Sequence, residues 1–122
     1  YLHRLSRDTW VDSVMNALNE DQKIGQLFMG MAYSNLGESH AYSVEKMIRE
    51  QQVGGIIFMQ GGPVRQAQLT NRFQQAAKVP LFIATDGEWG LAMRLDSTIS
   101  FPRNMTLGAL TDDRYVYSVA SE

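Results

Sequence analysis

A short polar stretch of this 122-residue chain combines residue types that can bind sugars or ions. Asp86, Glu88 and Arg94 lie within nine residues, together with glycines and one large aromatic residue, Trp89. Two carboxylates at this spacing could form an acid/base pair, accept hydrogen bonds from sugar hydroxyls, or bind Mg²⁺. They could equally well have only a structural role, with one carboxylate capping a loop and the other facing solvent.

Trp89 and Arg94 also allow two interpretations each. Trp89 could stack on the apolar face of a sugar, because it combines a flat surface with an N–H donor. It could instead close the end of the fold. Arg94 could donate two parallel hydrogen bonds to hydroxyls or to a carboxylate of a ligand. It could also pair with Asp86, Glu88 or Asp96 and hold the shape of the loop.

The polar stretch directly follows a buried strand. Residues 81–84 are apolar, and Pro80 precedes them. The run is long enough for one strand and too short to cross a membrane. In parallel α/β proteins, ligands bind at the edge of the sheet where the strands end. The sequence therefore predicts a binding site at this edge.

Apolar spacing along the rest of the chain predicts helices that alternate with strands. Residues 1–8 are predicted to be a polar lead-in or arm, and residues 33–40 and 95–110 to be irregular. The predicted helices begin at Trp10 after a Thr9 cap, at residue 20 after an Asn19–Gln22 cap, near Val44, at Pro63 and near Thr111. The predicted strands are residues 26–32, 54–59 and 81–84. Strands without polar alternation, separated by helices, favour a parallel sheet of an α/β protein.

Composition excludes several classes of function. Eleven Lys and Arg against thirteen Asp and Glu give a net charge of -2, so there is no basic surface for nucleic acid. The chain has no cysteine, which excludes thiolate catalysis and Cys-based zinc sites. No apolar run reaches the length of a membrane span.

Several segments in order resemble one enzyme family. They are 21–29 (DQKIGQLFM), 53–58 (VGGIIF), 80–88 (PLFIATDGE), the Phe101-Pro102 pair and 107–109 (LGA). This series is similar to the N-terminal barrel of family 3 glycoside hydrolases, above all the β-N-acetylhexosaminidase branch, followed by the β-glucosidases.

The resemblance implies a (β/α)₈ barrel of the TIM type, of which residues 1–122 would be only the first three strand–helix units. It implies a retaining hydrolase that releases a terminal β-linked sugar, with N-acetylglucosamine favoured, and that is periplasmic or secreted. The partners would be a carbohydrate substrate and the missing part of the barrel, and neither a metal nor an organic cofactor would be needed. The family's aspartate nucleophile and its histidine acid/base motif do not occur in this stretch, so these residues alone would be inactive.

The resemblance also assigns roles within the polar stretch. The family motif is Asp-Gln-Glu-Gly-Gly-x-x-x-Arg, which Asp86, Glu88 and Arg94 match. Gly87 replaces the Gln and Trp89 replaces the first Gly. By this resemblance Asp86 binds sugar hydroxyls, Glu88 and Arg94 shape or support that contact, and Trp89 reshapes the pocket.

Two alternatives remain from the sequence alone. One is a small open α/β module of the receiver or flavodoxin type, with Asp86 as a metal or phosphoacceptor site. The other is a sugar-binding fragment without catalysis.

Overall fold

The computed structural model describes the backbone of residues 2–121 and the side chains of residues 7–121. Three short strands alternate with helices, as predicted. The elements in chain order are α1 (Leu2–Ala17), α2 (Glu20–Gly25), β1 (Met29–Ala32), α3 (Gly37–Gln51), β2 (Gly55–Phe58), α4 (Pro63–Ala76), β3 (Phe82–Thr85), α5 (Asn104–Gly108) and α6 (Asp113–Ser121). A single 3₁₀ turn, Leu91–Met93, lies between β3 and α5.

The three strands form one parallel sheet in the order β1-β2-β3. At the carboxyl end of the sheet, Phe58 pairs with Ala32 on one side and with Thr85 on the other. Successive strands are neighbours and a helix connects each pair, which is the arrangement of a (β/α)₈ barrel. A flavodoxin-type or receiver sheet would instead place β1 between β2 and β3. The strand order therefore contradicts the small-module alternative, and the partial barrel fold is confirmed.

Helices α3 and α4 cover one face of the sheet and form the core. Val44 and Ile48, one turn apart on α3, and Phe73 on α4 are buried against Ile56 and Phe58 of β2. The rings of Phe58 and Phe73 stack with their centroids 6.2 Å apart. Apolar residues at helical spacing thus meet alternate residues of the strand, which is how an amphipathic helix packs on a sheet.

The predicted start signals of two helices are confirmed. The Gln22 N–H donates to Asn19 Oδ1 at 2.9 Å, and the Asn19 N–H donates to Gln22 Oε1 at 3.1 Å. This reciprocal pair satisfies two N–H groups at the beginning of α2. Pro63 occupies the first turn of α4, where its missing N–H costs no helical hydrogen bond.

Other predicted boundaries were wrong. Helix α1 begins at Leu2, so residues 2–8 are helical rather than an arm, and Thr9 lies inside the helix rather than capping it. Strand β1 begins at Met29 rather than at residue 26. The reason is that the N–H groups of residues 27 and 28 donate back to the carbonyls of residues 24 and 25, which prolongs the turn after α2.

Two stretches predicted to be irregular contain helix. Helix α3 begins at Gly37, inside the predicted loop 33–40, and α5 lies inside the predicted irregular segment 95–110. Neither start carries a side-chain cap, since no cap hydrogen bond forms at Leu36 or at Arg103. The sequence signals on which helix prediction depends are therefore missing at both places.

The second face of the sheet is not covered by the described residues. Met29, Met31 and Phe82 are 48%, 58% and 80% exposed. The accessible surface is 8774 Å², about a third more than the roughly 6600 Å² that a compact monomer of this mass would have. An exposed apolar sheet face of this kind requires a covering surface.

The 122-residue chain produced alone is expected to aggregate, to oligomerise or to remain loosely folded, because none of the described residues covers the open sheet face or pairs with the outer strand edges. Thermal unfolding followed by circular dichroism, together with sizing by light scattering, measures this. A monomer with one sharp cooperative transition would contradict the expectation.

A charged network joins α3 to α4 on the outside of the core. Arg72 of α4 donates to Glu45 at 2.9 Å and to Glu38 at 2.7 Å, and Arg49 donates to Glu45 at 2.8 Å. The hydrogen bonds from Arg49 and Arg72 hold the pKa of Glu45 below its ordinary value. Because the pKa of Glu45 is lower in the folded state, this network stabilises the fold at pH values above the pKa that Glu45 has in the unfolded chain. The stabilisation is lost as the pH falls through the folded-state pKa.

Substituting Glu45→Gln in the whole protein should lower the melting temperature by about 1–3 °C at pH 7. The effect should be smaller at an acidic pH below the lowered folded-state pKa of Glu45, where the wild-type carboxylate is also protonated. Differential scanning calorimetry at the two pH values measures the difference. Glu50→Gln is the matched control on the same helix, because Glu50 is exposed and lies 4.0 Å from its partner Lys46. Equal effects of Glu45→Gln at both pH values would contradict the assignment.

Candidate functional site

The three strands end at the same edge of the sheet, and the candidate residues lie there. Asp86 directly follows β3, and the segment from Asp86 to Arg94 forms a loop over this edge. The loop turns back at Gly90, whose φ of 107° lies in the left-handed region that favours glycine.

Asp86 and Arg94 form an ion pair at the two ends of this loop. Arg94 Nη2 lies 2.6 Å from Asp86 Oδ2, and Arg94 Nε donates to the Asp86 carbonyl oxygen at 2.9 Å. The Arg94 side chain is 16% exposed, whereas that of Asp86 is 48% exposed. Of the two interpretations of Arg94, the structure therefore contains the pairing with Asp86. Asp86 remains partly open to solvent.

Glu88 and Trp89 lie on a different part of the loop. The Glu88 side chain is exposed, and within the described part of the chain its carboxylate makes no hydrogen bond; its carbonyl oxygen accepts one from Asn104 Nδ2 at 3.1 Å. Trp89 is half-buried, and the Arg103 guanidinium lies 5.1 Å from its ring centroid. This distance is typical of a cation–π contact.

Glu88 and Trp89 border a cleft of about 630 Å³ between the loop and the last two helices. Phe101 and Leu107 contribute apolar surface to it, and Asp86 is not among its lining residues. The predicted site residues therefore form two groups. The ion pair Asp86–Arg94 is one, and the cleft residues Glu88 and Trp89 are the other.

A backbone bridge fixes the far end of the loop. The Gly61 N–H donates to the Arg94 carbonyl at 3.0 Å, and the Asp96 N–H donates to the Gly61 carbonyl at 2.8 Å. Together these bonds make a parallel β-bridge between Gly61 and Leu95. The loop after β3 is thus attached to the segment that follows β2.

Side chains from three segments surround this bridge. Ser34, directly after β1, is buried, and its Oγ accepts from the Gly62 N–H at 3.0 Å. Arg65 Nε donates to the Ser34 carbonyl at 3.1 Å, and Arg65 Nη2 pairs with the Asp96 carboxylate. Asp96 therefore pairs with Arg65 and not with Arg94.

No site role was predicted for Ser34, Gly61 or Arg65 from the sequence. Ser34 lies in a polar loop, and Gly61 belongs to a glycine pair that lacks the spacing of a phosphate-binding loop and is better explained as an ordinary turn. For Ser34 and Gly61, only their place shortly after the first two strands, at the same edge as Asp86, could have indicated them.

Among the described side chains, no group of three or more His, Cys, Asp or Glu is arranged to hold a metal ion. No helix in the described part of the chain has both the length and the apolar composition needed to cross a bilayer.

The strands of the parallel sheet are arranged in chain order, and a polar loop lies at the carboxyl edge. This arrangement defines part of a (β/α)₈-type domain. Comparison with known families gives the particular one: residues 19–122 match the glycosyl hydrolase family 3 N terminal domain. The chain therefore belongs to glycosyl hydrolase family 3, and the resemblance seen in the sequence is confirmed.

Individual relatives carry related names. The chain is 28% identical over 112 residues to a β-N-acetylglucosaminidase/β-glucosidase of Cellulomonas fimi, a match that covers 92% of the chain. It is also similar to a structure from a fungal multi-domain family 3 β-N-acetylglucosaminidase with a GCN5-related glucosamine N-acetyltransferase region, at 34% identity and a TM-score of 0.62 over 84% of the chain. A structure of the β-glucoside phosphorylase BglX bound to 2FGlc matches at 29% identity and a TM-score of 0.59 over 68% of the chain.

The chain spans only a small part of these relatives. The matches cover 19% of the Cellulomonas fimi protein, 13% of the fungal chain and 14% of the phosphorylase chain.

Gly61→Ala in the whole protein should be strongly destabilising, with a melting temperature lower by several degrees. The φ of Gly61 is 146°, and a Cβ at this position would collide with Ser34 Oγ. Gly108→Ala is the matched control, because a Cβ there meets nothing within 4 Å. Thermal shift measurements compare the two variants, and equal melting temperatures would argue against the close contact between Gly61 and Ser34.

Proposed function

We propose that this chain is part of a glycoside hydrolase that removes a terminal β-linked sugar, with N-acetylglucosamine as the leading candidate. The observation that carries the proposal is the half-exposed Asp86 carboxylate, held by Arg94 at the carboxyl edge of β3, in a chain of family 3. Residues 1–122 would supply sugar contacts, and the rest of the barrel would supply the nucleophile and the acid/base.

Asp86 is suited to bind sugar hydroxyls. Its Oδ2 is engaged by Arg94, and an ionised carboxylate has further acceptor sites on both oxygens. The ion pair restricts the orientation of the carboxylate, so less conformational freedom is lost when a sugar binds. Hydrogen bonds from hydroxyls to a charged acceptor are worth about 1.5–3 kcal/mol each.

Arg94, Glu88 and Trp89 would support this contact in different ways. Because Arg94 is largely buried and paired with Asp86, we assign it to positioning the carboxylate rather than to contacting the sugar. Glu88 and Trp89 line the neighbouring cleft, where the indole ring offers a flat surface for the apolar face of a sugar.

The proposed mechanism is retaining, as the resemblance implies. It requires two groups that flank the glycosidic bond. The family's nucleophile and acid/base motifs are absent from residues 1–122, so the chemistry would belong to later strands. The matches to only 13–19% of each relative and the uncovered sheet face support a barrel that continues beyond this stretch.

A second candidate reaction is transfer of the sugar to phosphate instead of water. The likeness to the β-glucoside phosphorylase at 29% identity favours it. Both reactions would use the same sugar contact at Asp86 and differ only in the acceptor.

Asp86→Ala in the whole protein should lower kcat/KM for an aryl β-glycoside about 10- to 100-fold for each hydrogen bond lost. Rates are measured with the aryl β-N-acetylglucosaminide and the aryl β-glucoside. Asp21→Asn is the matched control, because Asp21 lies in the first turn of α2, before the opposite end of the sheet. Unchanged kcat/KM in Asp86→Ala would refute the sugar contact.

Whether water or phosphate accepts the sugar is tested with the wild-type protein. A glycosidase should release free sugar at a rate that does not depend on inorganic phosphate. A phosphorylase should instead form the sugar 1-phosphate in proportion to the added phosphate.

A further inference from the structure

We propose that Ser34, Arg65 and Asp96 are positioning residues for the Asp86 carboxylate, which they fix through the Gly61–Leu95 bridge. We call these three side chains and the bridge the loop clamp. The sugar contact of Asp86 rests on the proposed function. The claim that the loop clamp fixes the Asp86 carboxylate does not depend on it.

The clamp is connected to Asp86 through Arg94. Arg94 holds Asp86 with its side chain, and its carbonyl accepts the Gly61 N–H at 3.0 Å. The next residue, Leu95, is buried and is the bridge partner of Gly61. The backbone that carries the Arg94 guanidinium is therefore fixed relative to the end of β2.

The end of β2 is itself fixed by Ser34. Ser34 attaches it to β1, because the Ser34 N–H donates to the Gln60 carbonyl at 2.8 Å and Ser34 Oγ accepts the Gly62 N–H. Ser34 is 7% exposed, so water does not compete readily for these bonds. The loop after β3 is thus held by groups from both preceding strands.

Arg65 closes the clamp because it bonds to two segments at once. Its Nε donates to the Ser34 carbonyl, and its Nη2 pairs with the Asp96 carboxylate. The Arg65 and Asp96 side chains are 51% and 54% exposed, so charge attraction alone would contribute little. The contribution we assign to Arg65 is geometric. A Lys at this position could not reproduce the two directed bonds of the guanidinium.

The first test uses Arg65→Met in the whole protein, with Arg72→Met as the matched control. Arg72 lies two turns further along α4 and is also ion-paired, but its partners are Glu38 and Glu45 on α3. Hydrogen exchange followed by mass spectrometry reports the peptides that contain residues 59–62 and 86–97. Exchange there should be about tenfold faster in Arg65→Met and unchanged in Arg72→Met.

Exchange that stays at the wild-type rate in Arg65→Met would overturn the proposal, and so would equal acceleration in both variants. If Arg65→Met does not fold, Asp96→Asn serves instead. It removes the charge at the other end of the same pair and keeps the side-chain shape, and it should accelerate exchange of the same peptides.

The second test connects the clamp to Asp86 by a double-mutant cycle. Arg65→Met should lower kcat/KM about tenfold, mainly through kcat, because a misplaced carboxylate orients the sugar poorly. Arg65→Lys should restore part of the loss. In the Asp86→Ala background, Arg65→Met should have no further effect, since its action passes through Asp86.

The outcomes separate this proposal from the proposed function. Additive losses in the cycle would show that Arg65 does not act through Asp86 and would overturn the positioning role. Unchanged activity in Asp86→Ala would refute the sugar contact, while the exchange measurement would still decide whether the clamp fixes the loop.

Discussion

The pairing of β2 with a strand on each side is the constraint on which the other features depend. Ile56 and Phe58 anchor this strand in the core, and hydrogen bonds on both sides set the register of β1 and β3. The pairing continues after the strands end, since Gln60 accepts from Ser34 on one side and Gly61 bonds to residues 94 and 96 on the other. The carboxyl edge is therefore an extension of the sheet and not a set of independent loops.

The sequence predicted the strands and helices well where the signal was local. The apolar run before Asp86 and the helical spacing of Val44 and Ile48 correspond to a real strand and a real helix, because burial in the core enforces both patterns. Boundaries were wrong where no local signal exists. Helix α3 begins at Gly37 without a side-chain cap, and Leu27 and Phe28 are apolar enough for a strand but bond back to α2.

The candidate site was predictable in composition but not in arrangement. The sequence places Asp86, Glu88 and Arg94 on one loop, yet only the return of that loop determines which of them meet. The loop turns back at Gly90, but its far end is fixed by Gly61, a distant residue in the chain whose φ is 146° and which lies close to Ser34. Spacing within a motif carries no information about such a long-range contact, so the partner of Arg94 stayed open among three carboxylates.

The exposures of the ion pair favour a binding role for Asp86 over an acid/base role. Arg94 is largely buried and needs a fixed counter-charge, whereas Asp86 is half exposed and already satisfies that need with one oxygen. A carboxylate used in this way can accept hydrogen bonds from hydroxyls with its remaining acceptor sites. The other acidic residue of the motif, Glu88, lines the cleft, and in the described part of the chain its carboxylate makes no hydrogen bond to Arg94. The two carboxylates thus differ in their surroundings, because one is ion-paired and the other is not. This difference supports the proposal that Asp86 binds a sugar while catalytic groups come from elsewhere.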